Sequence, residues 1–260
     1  STVALAGVLA ASMLFTGCSK KAESKVPDKL IVGTNAEFPP FEYMNDKKQP
    51  EGFDIAMIKE IGKRMGKKVE IKNMEFKSLI GAMESDSINA IIAGMTKTEK
   101  REKAVDFSDS YYTTNQAIIL KKDSKITKLA QLDGKKIGVQ EGTTGDLISS
   151  GDKFGDGKKA KVLVKGAKVK RFKKGVDAVM DLKNGSVDAV VIDELTANEF
   201  VKKNAKKLKI VIDSAGSEYY CIALTKGNTA YKEEVNKQIK AIKEDGTYDK
   251  LKAKYIDSKN

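Results

Sequence analysis

The sequence predicts an α/β protein built from two units of similar organisation, each a mainly parallel sheet flanked by helices. Three observations carry this. Short apolar runs alternate with segments of helical period. The same alternation starts again near residue 135. The chain has 260 residues and is 40% hydrophobic, enough to bury a sizeable core in two domains of ordinary size.

The first unit opens with LIVGT (30–34), a short apolar run ending at a glycine-threonine turn, as a buried strand does. Residues 53–65 place Ile55, Ile58, Ile61 and Met65 at helical spacing. VEIKNMEF (69–76) alternates like a strand, 77–85 make a short helix, and 87–93 a second buried strand. QAIILKK (116–122) is a strand again. The second unit repeats the pattern. KKIGVQ (135–140) is a strand followed by the helix-like GDLISS (145–150), and KVKRF (168–172) precedes a helix over 175–185. VDAVVID (187–193) is a buried strand, 194–204 a helix, and 208–213 and 219–226 are strands. Residues 229–256 form two helices broken at Gly246, and the glycine- and lysine-rich 151–166 is a surface loop or hairpin.

Composition removes several functions. There is no histidine, so serine-histidine and cysteine-histidine nucleophile systems are excluded, along with the commonest metal ligand. Two cysteines, Cys18 and Cys221, cannot supply a disulfide framework. No DxDxDG-like calcium loop is present, and neither a metal nor a cofactor is expected. The net charge of +12 comes from lysines spread along the chain, which read as a solvated surface rather than a nucleic-acid footprint. Arginine is scarce: only Arg64, Arg101 and Arg171 occur.

The first residues, STVALAGVLAASMLFTGC, are apolar, small and uncharged, like the core of an export signal, although the usual basic start is not present ahead of them. Residues 1–17 are therefore read as an N-terminally truncated signal peptide. Phe15-Thr16-Gly17-Cys18 resembles a bacterial lipobox, with Phe15 where leucine is usual. Cys18 is the expected lipidation site, residues 18–28 a flexible tether, and Cys221 a lone buried thiol.

Open α/β sheets bind ligands beyond the carboxyl ends of their strands. The loops there are 35–43, 94–101, 141–146 and 193–196. They bring backbone amides in glycine turns, Arg101 as a fork for a carboxylate, Asp193 as an acceptor for an ammonium, and Phe38 and Phe53 as flat apolar walls. Together these complement a free zwitterionic amino acid. Singly, each has a plainer role: surface arginine, helix cap, core aromatic, or turn residue at Thr143 and Thr144.

Five stretches, GTNAEFPPFEY (33–43), EGFDIAMIKEIGKRMGKKVE (51–70), AGMTKTEKREKAVDFSDSYY (93–112), LDGKKIGVQEGTTGD (132–146) and VDAVVIDELT (187–196), resemble the bacterial extracellular solute-binding proteins, family 3, of the polar amino-acid ABC transporters. The resemblance runs from about residue 29 onward. It implies a two-lobed periplasmic-binding-protein-like (type II) fold. Lobe 1 is discontinuous (29–117 plus 219–260) and lobe 2 spans 118–218, with hinge crossings near 115–119 and 216–220. It also implies a monomeric, extracytoplasmic lipoprotein, with no enzymatic activity, that hands a polar L-amino acid to a permease.

Carried over by position, Arg101 clamps the α-carboxylate, helped by Thr96, Gly94 and Thr144, and Asp193 with the Gly94 carbonyl accepts the α-ammonium. Phe38 and Phe53 match the aromatic pair that sandwiches the side chain, while Asn35, Glu37, Gln140 and Thr143 fall where the family varies. Many relatives carry aspartate at the Asn35 position. The neutral residue here suits glutamine, cystine, histidine or other polar ligands, with arginine or lysine admitted through Glu37. The alternatives are a dehydratase of cyclic amino-acid precursors, with Glu194 or Glu37 as acid, and an amino-acid sensing module.

Overall fold

The computed structural model describes residues 24–151, 164–212 and 217–259. The expected export signal, Cys18, and most of the 151–166 stretch lie outside the described residues.

In chain order the strands and helices are β1 (Lys29–Thr34), β2 (Glu37–Phe38), β3 (Glu42–Met44), β4 (Pro50–Glu51), α1 (Phe53–Arg64), β5 (Lys68–Asn73), α2 (Leu79–Glu84), β6 (Ala90–Ile91), α3 (Glu99–Glu102) and β7 (Val105–Thr114). There follow β8 (Gln116–Lys121), β9 (Lys136–Gln140), α4 (Thr144–Ser149), β10 (Lys168–Phe172), α5 (Gly175–Asn184), β11 (Ala189–Asp193), α6 (Glu194–Lys202) and β12 (Leu208–Ile212). The chain finishes with β13 (Glu218–Thr225), α7 (Thr229–Glu244) and α8 (Thr247–Tyr255).

Two five-stranded sheets result, ordered β5-β1-β6-β13-β7 and β10-β9-β11-β8-β12, with a small β2-β3-β4 sheet beside them. In each large sheet four strands run one way and the fourth in order is reversed: β13 in the first, β8 in the second. The reversed strand is in each case the one that has just arrived from the other sheet. The parallel neighbours β1 and β5 are joined through α1, and β9 and β10 through α4, as parallel pairing requires. The arriving strand comes with no helix and runs antiparallel. The chain leaves the first sheet at Asn115, between β7 and β8, and returns between β12 and β13.

Most expected elements are present within a residue or two. The expected strand over 87–93 shortens to Ala90–Ile91, although Asn89 N–H still donates to Ile31 at 2.8 Å and Ile92 N–H to Gly33 at 3.1 Å. The strand β7 carries no clear sequence signal. Asp106 and Asp109 interrupt its apolar residues, and its register against β13 shifts twice, between Tyr220 and Cys221 and between Cys221 and Ala223. Bulges of this kind destroy the period of two on which strand recognition rests.

Beneath the first sheet, α1 buries Phe53, Met57, Ile58 and Ile61, with Tyr231, Val235, Ile239 and Ile242 of α7 in the same core. Full burial of such side chains stabilises by ~1.5–3 kcal/mol each. The second sheet encloses Ile118, Leu120, Ile137, Val139, Ala189 and Val191. Cys221 is a free, buried thiol whose pKa burial pushes up to about 12, consistent with the inert role expected of it.

Candidate functional site: a charged cleft between the two sheets

The strand ends of both sheets converge on one cavity, lined by Phe38, Phe76, Ala93, Gly94, Thr96, Arg101, Gln140, Thr143, Thr144 and Asp193. It holds about 250 Å³ of empty space, part of it continuous with solvent.

Gly94 follows β6 with φ +51, a left-handed conformation that glycine adopts without strain. A Cβ here would also lie 3.1 Å from the Phe38 ring. Its N–H donates to Asp54 Oδ2 at 2.7 Å, and the Tyr111 hydroxyl donates to the same oxygen at 2.8 Å. Asp54 is buried at the start of α1, and burial raises its pKa to about 6. The adjoining Glu42 is raised well above the usual carboxylate range, by burial first and then by the charge of Asp54. The floor of the cleft is thus pinned from below by Asp54, with Glu42 buried beside it.

Arg101 lies in α3, where the Thr98 hydroxyl caps the turn by accepting from the Arg101 N–H at 3.2 Å. The guanidinium is buried. Its Nη1 donates to the Thr96 carbonyl at 2.6 Å and its Nη2 to the Gly142 carbonyl at 3.0 Å, so it touches both sides of the cleft. Cζ stands 5.3 Å from the centroid of the Phe76 ring. Burial lowers the Arg101 pKa to about 10, against the pull of Glu218 and Asp193, and the group stays cationic at neutral pH.

Asp193 closes β11 on the opposite side and is also buried. Gln116 Nε2 donates to its Oδ1 at 2.8 Å and the Tyr220 hydroxyl donates to its Oδ2. Burial, and then the charge of Glu218, raises its pKa to about 7. Gln140 Nε2 donates to Asn35 Oδ1 at 2.8 Å across the cleft, while Gln140 Oε1 is buried with no partner among the described residues. The Thr143 hydroxyl caps α4, donating to the Gln140 carbonyl at 2.8 Å and accepting from Asp146 N–H at 3.3 Å.

Eight of the expected site residues, Arg101, Asp193, Thr96, Gly94, Phe38, Thr143, Thr144 and Gln140, line this cavity together. Asn35 stands behind Gln140, with its Nδ2 donating to the Met74 carbonyl at 2.8 Å. Glu37 turns to the rim and pairs with Lys174 at 3.0 Å. Phe53 requires a correction: its ring is wholly buried in the core, edge-on to Phe41 and Tyr248, because α1 presents its apolar face inward from its first residue. Phe76 is the aromatic that lines the cavity with Phe38. It follows β5, which ends at Asn73, whereas the alternation over 69–76 absorbs Phe76 into the strand and hides it from a search of the loops.

Glu218 has no motif to mark it in the sequence. It opens β13, is buried, and accepts at Oε2 from the hydroxyls of Thr96 at 2.6 Å and Thr144 at 2.7 Å. These two hydroxyl protons are therefore committed within the protein. At the rim, Lys77–Glu141 at 2.9 Å, Lys173–Glu75 at 2.8 Å and Lys174–Glu37 at 3.0 Å pair the two sides.

The family model of the bacterial extracellular solute-binding proteins, family 3, matches residues 30–258. The chain belongs to this family. Among its relatives, the arginine-binding extracellular protein ArtP of Bacillus subtilis is 34% identical to this solute-binding protein over 243 residues, 92% of this chain and 91% of ArtP. An ancestral arginine-binding protein solved with arginine is 43% identical with a TM-score of 0.77, covering 89% of this chain and 100% of that one. The ancestral protein solved with glutamine gives 42% identity and a TM-score of 0.77, over 89% and 99%. The solute-binding protein has the two-lobed type II architecture of these neighbours, one large sheet to each lobe.

Proposed function

We propose that this solute-binding protein captures a free polar L-amino acid in the cavity and delivers it to the permease of an ABC importer. One observation carries the reading: a buried cation, Arg101, and a buried carboxyl, Asp193, line a single cavity from opposite sheets. A zwitterion satisfies both, its carboxylate on the guanidinium fork and its ammonium on the aspartate. The relatives named for arginine, and the neighbour solved with glutamine, support an amino acid as the ligand.

The ligand's side chain lies between Phe38 and Phe76 and reaches Gln140, whose bare Oε1 accepts a hydrogen bond. A side chain with an N–H donor, such as that of glutamine or arginine, fits this end. The Thr96 and Thr144 hydroxyls donate hydrogen bonds to Glu218, so their oxygens offer lone pairs and serve the ammonium end rather than the carboxylate end expected of them. The lobes follow the two sheets, 29–117 plus 219–260 and 118–218, and the ligand holds them together because it touches both. The protein works as a monomer tethered to the outer face of the membrane through a lipid on Cys18, and it is not an enzyme. The acids a dehydratase would use stand off the cavity, Glu37 on Lys174 and Glu194 accepting from Asn115 at 3.2 Å.

A thermal-shift screen against the twenty amino acids plus cystine tests the reading. A ligand at ~100 times its Kd adds about 2.7 kcal/mol of stability. A screen in which none raises the melting temperature overturns it.

A further inference from the structure

Glu218 stands outside the cavity lining, yet it organises two residues that form it. Its Oε2 takes the Thr96 hydroxyl from the loop after β6 and the Thr144 hydroxyl from α4, one from each side of the cleft. Its Oε1 is buried without a partner among the described residues. The charged and titratable groups that face this acid are Arg101, Asp193 and, through Asp193, the Tyr220 hydroxyl. Gln116 sits among them, donating from Nε2 to both Thr144 Oγ1 at 3.2 Å and Asp193 Oδ1 at 2.8 Å.

A hydroxyl has one proton to give and two lone pairs. Once the protons of Thr96 and Thr144 point at Glu218, both oxygens can only accept from whatever enters the cavity. A neutral arrangement would leave them free to rotate and donate to a carboxylate. Burial, and for Asp193 also the charge of Glu218, holds both carboxyls up, so their full ionisation, which would leave one negative charge in excess of Arg101, is favoured by a positive group beside them. Both facts favour a positive group next to the threonines.

We infer that Glu218 is a positioning residue for the ligand's α-ammonium: it fixes the Thr96 and Thr144 hydroxyls as acceptors, adds a second negative charge behind Asp193, and ties the two sides of the cleft through one oxygen. This rests on the amino-acid reading given above. The acid lies at the return crossing, so ammonium recognition and the approach of the two sheets share one residue.

The experiment is titration calorimetry on the whole chain with four probes: L-arginine, its deaminated analogue 5-guanidinopentanoic acid, L-glutamine, and its deaminated analogue glutaramic acid. The key variant is Glu218→Gln, which retains an acceptor oxygen for the threonines and loses the charge. The variant should bind the amino-bearing member of each pair about tenfold more weakly or worse, the scale of a lost hydrogen-bonding charge, and the deaminated member far less so. The midpoint at which affinity falls on acidification should also move to lower pH, because Asp193 loses a like-charged neighbour. Equal weakening within each pair, or an unchanged pH midpoint, overturns the inference while leaving amino-acid binding intact. A wild-type protein that binds no L-amino acid overturns the underlying reading instead. Should Glu218→Gln not fold, Thr96→Val with Thr144→Val must show the same selective loss of the amino group's contribution, and equal weakening of both members there overturns the inference as well.

Discussion

Asn35 and Gln140 meet across the cleft, Gln140 Nε2 donating to Asn35 Oδ1 at 2.8 Å. Asn35 in turn donates from Nδ2 to the Met74 carbonyl at 2.8 Å, so the amide is used at both ends. Asn35→Asp keeps the acceptor and removes the donor, and sets a carboxylate against a carbonyl. Stability should fall by about 1–3 kcal/mol in urea unfolding, as for a buried group stripped of its partner. In calorimetry the arginine-to-glutamine affinity ratio should rise, since the new charge sits behind Gln140 at the side-chain end of the cavity.

Arg101 reaches the Thr96 and Gly142 carbonyls with separate nitrogens and lies over Phe76. Lysine has one nitrogen and a hydrated point charge, and it cannot reproduce this fork. Arg101→Lys should therefore lose nearly as much amino-acid affinity as Arg101→Ala, ~3–5 kcal/mol: alanine strands the opposing buried charge, and lysine keeps a charge but loses the two-nitrogen hold across the cleft and the planar fork for a carboxylate. A lysine variant with near-native affinity in calorimetry would remove Arg101 from the carboxylate clamp.

Two aromatics separate stability from binding. Phe53→Ala empties a wholly buried site and should cost ~3–5 kcal/mol of stability. Phe76 is half-buried at the cavity wall, so Phe76→Ala should cost less stability and weaken ligand affinity at least tenfold. Paired denaturation and calorimetry on both variants decide the assignment.

Two slopes against pH should have opposite signs. The Asp193 and Asp54 carboxyls rise from 3.8 to about 7 and about 6 in the folded protein. The folded chain then holds protons that the unfolded chain has released, so this contribution to stability is full below the unfolded value and is lost as pH rises through the folded ones. The ligand-free melting temperature should fall between about pH 5 and about pH 8. The extra melting temperature given by an amino acid should rise over the same interval, because the ammonium needs ionised Asp193. Asp193→Asn should flatten the ligand-dependent profile and leave the ligand-free one with only the shallower fall that Asp54 contributes, both read by differential scanning fluorimetry.

Cys18 carries the anchoring prediction. Expressed in a bacterial host with a complete export signal, the protein should sediment with membranes and take up labelled fatty acid. Cys18→Ala should appear in the soluble extracytoplasmic fraction without label. Equal partitioning of the two would remove the anchor.

The fold was legible where one pattern held from end to end. The glycine-ended strands and the periodic helices of α1, α5 and α7 announce themselves because burial on one face imposes a fixed spacing. β7 stayed hidden because bulges against β13 reset its alternation. Arg101 and Asp193, which line one cavity, stood out in the sequence because each is a charged residue at or beyond a strand end. Phe53 misled because an aromatic at the start of a helix looks the same in sequence whether it faces a cleft or a core. Glu218 was invisible for another reason: its role depends on Thr96 and Thr144, which lie 122 and 74 residues away.

The borrowed fourth strand has a bearing on how the protein is made. All five strands of the second sheet exist once Ile212 has been synthesised, whereas the first sheet lacks β13, an interior strand, until Thr225. β7 is made early, is ten residues long, and has β13 as its sole neighbour in the sheet. For more than a hundred residues of synthesis it waits with both edges bare, open to mispairing with other chains. The sheet whose strands are made first is thus the one completed last.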